Sequence, residues 1–179
     1  MPTHARDRLL ETAKQLFFAE GIHAVGVESL LSASGVGRAS FYRHFGSKDE
    51  LVTEVLRDRD RTWREWLAAA VAERGGGPLT VFDALAEDGT RGDFRGCAFL
   101  NATVEYADPE SPVHTLARAH KRAVADFVAT LLRDAGHRDS TPLSDQFVLL
   151  MDGATVTAAR ERSTEPMYRA KAVAARLLA

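Results

Sequence analysis

Between Ser32 and Lys48 the chain reads SASGVGRASFYRHFGSK, without a single Asp or Glu. The donors are crowded together: Arg38, Ser40, Tyr42, Arg43, His44 and Lys48, with the small Ala39 among them. An arginine can donate two hydrogen bonds to O6 and N7 of guanine, and a small residue permits close approach or contact with a thymine methyl. Ser40, Tyr42 and His44 can donate to phosphate oxygens. Lys48 and the free N–H groups at the start of a following helix would add a second phosphate anchor. Such a surface suits the major groove of DNA, and a carboxylate on it would repel the phosphates it must approach. The alternative is a solvated helix that happens to lack acids.

The elements around this window decide between the two. Leu9, Leu10, Ala13, Leu16 and Phe17 recur at the spacings of one apolar helical stripe, which predicts a first helix over about 5–20, ended by Gly21. A second short helix is expected over 27–34, with Gly26 as its N-cap and Gly35 as its breaker. A third is expected over 37–45. Phe41 and Phe45 are four apart and share a face, which must pack on the first two helices. Ala39 and Arg43 each sit two residues from a phenylalanine, about 200° around the helix, and so point away from that core. Three short helices with a tight glycine turn between the second and third make a helix-turn-helix pattern. Ser47 and Glu50 form a capping-box signature for a fourth helix running over about 48–73.

The rest of the chain is also helical in pattern. RGGGP at 74–78 reads as a linker, and further helices are expected over 79–87, from Cys97, from Ser111 to 134, from about Leu143, and over 165–178. The expected fold class is all-α, with about nine helices. Residues 1–47 would form a helix-turn-helix DNA-binding domain, and 48–179 a helical body entered through the fourth helix.

Composition sets outer bounds. Of 179 residues, 45% are hydrophobic and 27% charged, ordinary for a globular protein, and the formal net charge of −2 argues against an indiscriminate polyanion binder but not against a local basic face. No apolar run approaches about 18 residues and the first residues carry scattered charges, so neither a membrane span nor a secretory signal is expected. Cys97 is the only cysteine, which excludes an intramolecular disulfide and fits a cytoplasmic location.

LLETAKQLFFAEGIHAVGVESLLSASGVGRASFYRHFGSKDELV resembles the N-terminal domain of TetR-type bacterial transcriptional regulators, over about Arg6 to Leu56. The features that carry it are LF…G closing the first helix, SGV at the turn, and FYRHFGSKDEL bridging the third and fourth helices. RGCAFLNATVEYADPESPV is similar to a subgroup with a G-C-x-F-x-N-like helix in its regulatory domain. The chain departs from the pattern at Val25 and Gly26, where the second helix usually opens with Thr or Ser, and at Gly37, where the third often opens with Ser. SLL replaces an acidic-Ile-Ala stretch. The lost caps imply a less rigid DNA-binding unit. The resemblance implies a homodimer with two DNA-binding heads, a palindromic double-stranded operator, and a small-molecule effector that changes the spacing of the heads.

Two body features are expected on this basis. An apolar pocket with a few polar groups would draw on Trp63, Trp66, Phe82, Phe99, Asn101, Glu105 and Phe127. Asn101 and Glu105 are four apart and share a face, either as ligand contacts or as a structural pair. The last two helices would form a four-helix dimer seam with Phe147, Leu150, Met151, Ala154, Met167, Ala170, Val173, Ala174 and Leu177, unless these bury inside one monomer. Cys97 is either a redox-sensitive thiol or an inert core residue. His114 and His120 are six apart and no Cys/His cluster has zinc spacing, so no metal and no cofactor is expected.

The leading reading is a ligand-released transcriptional repressor. Its rival is an all-helical small-molecule binding protein or enzyme with no DNA role, which finds no G-x-S-x-G elbow, phosphate loop or H-E-x-x-H motif to build on.

Overall fold

The computed structural model describes residues 3–92 and 94–179, so the start of the N-terminal segment and Asp93 of the 88–96 loop fall outside the described residues. Among the described residues the chain forms nine helices and no strand: α1 Thr3–Glu20, α2 Val27–Ser34, α3 Arg38–His44, α4 Lys48–Glu73, α5 Thr80–Asp88, α6 Ala98–Glu105, α7 Pro112–Asp134, α8 Ser140–Glu161 and α9 Glu165–Leu177. No described helix is long and apolar enough to cross a membrane. The chain divides into two compact units, one of Met1–Asp60 with Ala98–Ala117, the other of Arg61–Cys97 with Arg118–Ala179. The break thus falls within α4 and within α7.

In the first unit, α1 buries Leu9, Ala13 and Phe17 at i, i+4 and i+8. α4 contributes Leu51, Val52, Val55 and Leu56 to the buried set, α2 gives Leu30, and the intervening turns give Ile22, Val25 and Val36. Ion pairs join α1 to α4, Arg6 to Glu54 at 2.8 Å and Lys14 to Asp58 at 2.6 Å. Gly21, at φ +97°, ends α1 as the pattern predicts.

The second unit is built around Leu67 and Val71 of α4, Phe82 and Leu85 of α5, Val128 and Leu132 of α7, Phe147 and Met151 of α8, and Met167 of α9. Ala154, Ala158, Ala170 and Ala174 are buried as well. These small side chains let α8 and α9 approach closely. Lys171 of α9 reaches both carboxylate oxygens of Asp83 on α5, at 2.8 and 2.6 Å. Helix α8 begins three residues before the expected Leu143. Pro142 lies in its first turn, where a missing N–H removes no helical bond.

Candidate nucleic-acid interface

The turn between α2 and α3 is made by Gly35, which ends α2 in the left-handed region at φ +63°. Val36 then turns inward and is buried. Its N–H is held at 3.3 Å by the Ser34 hydroxyl, itself buried. The N-caps Gly26 and Gly37 supply no side-chain bond to α2 or α3, in keeping with the missing Thr and Ser.

The short α3 has the polarity its sequence predicts. Phe41 and Phe45 are buried, with ring centroids 6.1 Å apart. Arg6 lies over the Phe45 ring at 5.5 Å. Arg38, Ala39, Tyr42 and Arg43 are exposed, while Ser40 and His44 are half-buried. The Tyr42 ring stands edge-on to Phe41 at 5.1 Å, which fixes its base and leaves its outer half in solvent. Phe45 itself is extended, so α3 stops at His44.

Lys48 opens α4. It is half-buried, with its ammonium 6.0 Å from the centroid of the Phe17 ring. The start of α4 beside it is capped by one hydroxyl and one carboxylate. Ser47 Oγ accepts the Glu50 N–H at 3.1 Å, and Glu50 returns to accept the Gly46 N–H at 2.7 Å. The box is therefore present, displaced by one residue on its return arm. The surface also gains an acid that the sequence window did not contain: Glu28, in the first turn of α2, forms an ion pair with Arg38.

A second cluster ties this head to α6. Glu105, at the end of α6, accepts the N–H groups of Ile22 and His23 at 3.0 and 2.7 Å. His23 Nε2 meets the Glu105 carbonyl at 2.6 Å, and that acceptor requires the Nε2 proton. Tyr106 donates to Asp49 at 2.7 Å, and His114 Nε2 donates to the Tyr106 carbonyl at 2.8 Å. Burial first, then the Asp49 hydrogen bond and the charges of Asp49 and Glu105, push the Tyr106 phenol well above the usual tyrosine range.

The residues expected to line one ligand site are spread over both units. Phe99, Asn101 and Glu105 belong to the first, with Phe99 buried and Asn101 exposed, and Glu105 engaged by the α1–α2 connection. Trp63, Trp66, Phe82 and Phe127 belong to the second. Phe82 is a core residue, 5.7 Å from Phe147 between centroids. Trp63 donates to the buried Asp88 at 3.4 Å and lies 5.3 Å from the buried His120 ring, while Arg91 covers Trp66 at 5.1 Å. Phe127 lines a cavity of about 290 Å³ within the second unit, together with the apolar Leu67 and Val124 and the charged Arg61, Arg64 and Glu65.

Of the expected dimer residues, Phe147, Met151, Ala154, Met167, Ala170 and Ala174 are buried inside the chain's own core. Leu150 is half-buried, and Val173 and Leu177 are exposed. On the same two helices the structure also exposes Leu149, Val156 and Tyr168. Cys97 is partly accessible.

Residues 9–55 match the family model described as bacterial regulatory proteins, tetR family. The chain is 36% identical to SCO4454, a TetR-family transcriptional regulator from Streptomyces coelicolor, whose crystal structure superposes with a TM-score of 0.87 over 98% of this chain and 90% of that one. It is 27% identical over 176 residues to the HTH-type transcriptional repressor DhaR of Mycobacterium sp. (strain GP1), covering 92% of this chain and 87% of the relative. It is 26% identical over 152 residues to the HTH-type transcriptional regulator YjdC of Escherichia coli (strain K12), covering 83% and 80%. A braced α3 with guanidinium groups on its outer face, carried on a chain alike over nearly its whole length to such regulators, belongs to the TetR family of bacterial transcriptional regulators: a DNA-binding regulator and not an enzyme.

Proposed function

We propose that the protein is a cytoplasmic repressor that binds a palindromic operator as a homodimer and leaves it when a small molecule occupies the helical body. Residues 1–47 serve as the DNA-binding domain and 48–179 as the ligand-binding and dimerisation domain. The observation that carries this reading is the division of α3 into two faces. Phe41 and Phe45 anchor it, while Arg38, Ala39, Tyr42 and Arg43 stay exposed for the groove, with Ser40, His44 and Lys48 available to phosphates.

A single head this small reads too few base pairs for a specific site, and a two-fold dimer doubles the contact and makes the operator an inverted repeat. The apolar side chains left in solvent on α8 and α9 supply the dimer face: Leu149, Val156, Tyr168, Val173 and Leu177. The cavity beside Phe127 supplies the effector site, since a lining of apolar side chains with a few charged groups is the usual composition of a small-molecule site. An effector that binds the form unfit for DNA more tightly shifts the population away from the operator.

The test is a mobility-shift titration with DNA flanking the protein's own gene, followed by footprinting. The reading expects one retarded complex whose footprint has two-fold symmetry. A chain that retards no such DNA at low salt contradicts it.

A further inference from the structure

The acid-free window of the sequence is not acid-free in space. Glu28 precedes Arg38 by ten residues, yet α2 brings its carboxylate to the Arg38 guanidinium, Oε1 to Nη2. Both side chains are largely open to solvent, Arg38 at 59% and Glu28 at 73%. Their neighbours Ala39 and Arg43 are exposed too.

An ion pair in open water is screened and weak, so the pair does little for the free head. On DNA the balance changes. Water leaves the groove, and a carboxylate carried toward the phosphates is repelled unless a cation accompanies it. An unrestrained arginine at the first position of α3 would settle on the nearest phosphate, a contact that adds affinity without sequence information. A guanidinium already held at one nitrogen by a carboxylate presents its remaining donors in a fixed direction, because the group is planar and its donors form a rigid fork.

Resting on the chain's role as a DNA-binding regulator, we propose that Glu28 is a specificity-determining residue: it orients Arg38 so that the two together read one G·C base pair in each half-site, through guanine O6 and N7. Glu28 is a positioning residue and Arg38 makes the base contact. Glu28 has a simpler use as well, since an acid in the first turn of a helix whose N-cap is Gly26 favours the helix through its dipole. That use affects stability alone and leaves no imprint on which bases are chosen.

The experiment is selection of binding sites from a randomised duplex library by the full-length chain, its E28A, E28Q and R38A variants, and a thermal melt of each. The wild type selects a motif with a G·C pair at one symmetric position. E28A and R38A each lose that preference by roughly ten-fold while the other positions of the motif persist. E28A also binds unrelated duplex more tightly than the wild type, because a carboxylate has left a surface that faces phosphates. E28Q, which still offers an acceptor to the guanidinium, keeps part of the preference and shows that lost helix stability is not the cause. E28A and R38A selecting the wild-type motif unchanged would overturn the assignment and leave the DNA-binding role standing. A wild-type chain with no affinity for any duplex would overturn both.

Discussion

His23 and Glu105 hold each other from both ends. The Glu105 carboxylate accepts the His23 main-chain N–H at 2.7 Å, and the Glu105 carbonyl takes the His23 ring nitrogen at 2.6 Å, across 82 residues of sequence. The second carboxylate oxygen takes the Ile22 N–H at 3.0 Å. One glutamate at the end of α6 thus satisfies two consecutive donors in the connection between α1 and α2. Hydrogen bonds to a charged acceptor are stronger than neutral ones, and here both donors lie outside any helix that could satisfy them otherwise.

Glu105→Ala should therefore cost about 2 kcal/mol of unfolding free energy, since two charge-assisted bonds are lost but water reaches the His23 side. Urea denaturation followed by circular dichroism measures it. Glu105→Gln, which keeps one acceptor, should fall between the two.

The neighbouring Tyr106 gives a pH signature. Its phenol is held protonated by burial first, then by its bond to Asp49 and by the charges of Asp49 and Glu105, so its folded pKa lies above that of the unfolded chain. The folded state then binds this proton more tightly, and the contribution to stability is complete below about pH 10. It is lost as pH rises from there through the folded value. Alkaline difference spectroscopy should show a phenol ionising above the ordinary range that disappears in Tyr106→Phe, and the variant should lose stability less steeply above about pH 10 than the wild type.

Gly35 tests the turn between α2 and α3. It sits at φ +63°, and a Cβ added there meets nothing within 4 Å, so an alanine is opposed by backbone conformation alone. Gly35→Ala should cost about 1–2 kcal/mol, and Gly35→Asn less, because Asn tolerates the left-handed region better. Thermal melts of the three proteins give the order directly.

Position on α8 separates the core from the proposed partner face. Phe147 is wholly buried and Leu149, two residues on, is 73% exposed. Phe147→Ala should destabilise the chain by about 3–5 kcal/mol. Leu149→Glu should leave the fold intact and move the sedimentation equilibrium from dimer toward monomer. A dimer undisturbed by charges at both Leu149 and Val156 would place the partner face elsewhere.

The head was legible because its signals are local. Phe41 and Phe45 at a four-residue spacing, Gly35 at the turn, and Ser47 with Glu50 each act within one or two helical turns, and each is found in place. On α8 the same reasoning had less to use. Phe147, Val148, Leu149, Leu150 and Met151 are five consecutive apolar residues, so periodicity alone cannot say which side faces the chain's own core. The core took Phe147, Met151, Ala154 and Ala158, the positions that share a face at i, i+4, i+7 and i+11. Asn101 and Glu105 share a helix, but Glu105 meets its partners at Ile22 and His23, and no pattern within α6 points there. Glu28 and Arg38 were hidden for the same reason, since each belongs to a different helix and only the tight turn brings them together.

The central claim is that the outer face of α3 reads DNA, and Arg43 tests it most directly. The measurement is the fluorescence anisotropy of labelled operator titrated with wild-type and Arg43→Ala protein, beside a scrambled duplex, at fixed salt. Arg43 is exposed and away from the Phe41–Phe45 core, so the variant should melt with the wild type. It should bind the operator more weakly by about 1–3 kcal/mol per contact and discriminate less against the scrambled duplex. An Arg43→Ala protein that binds the operator as tightly and as selectively as the wild type would contradict the account.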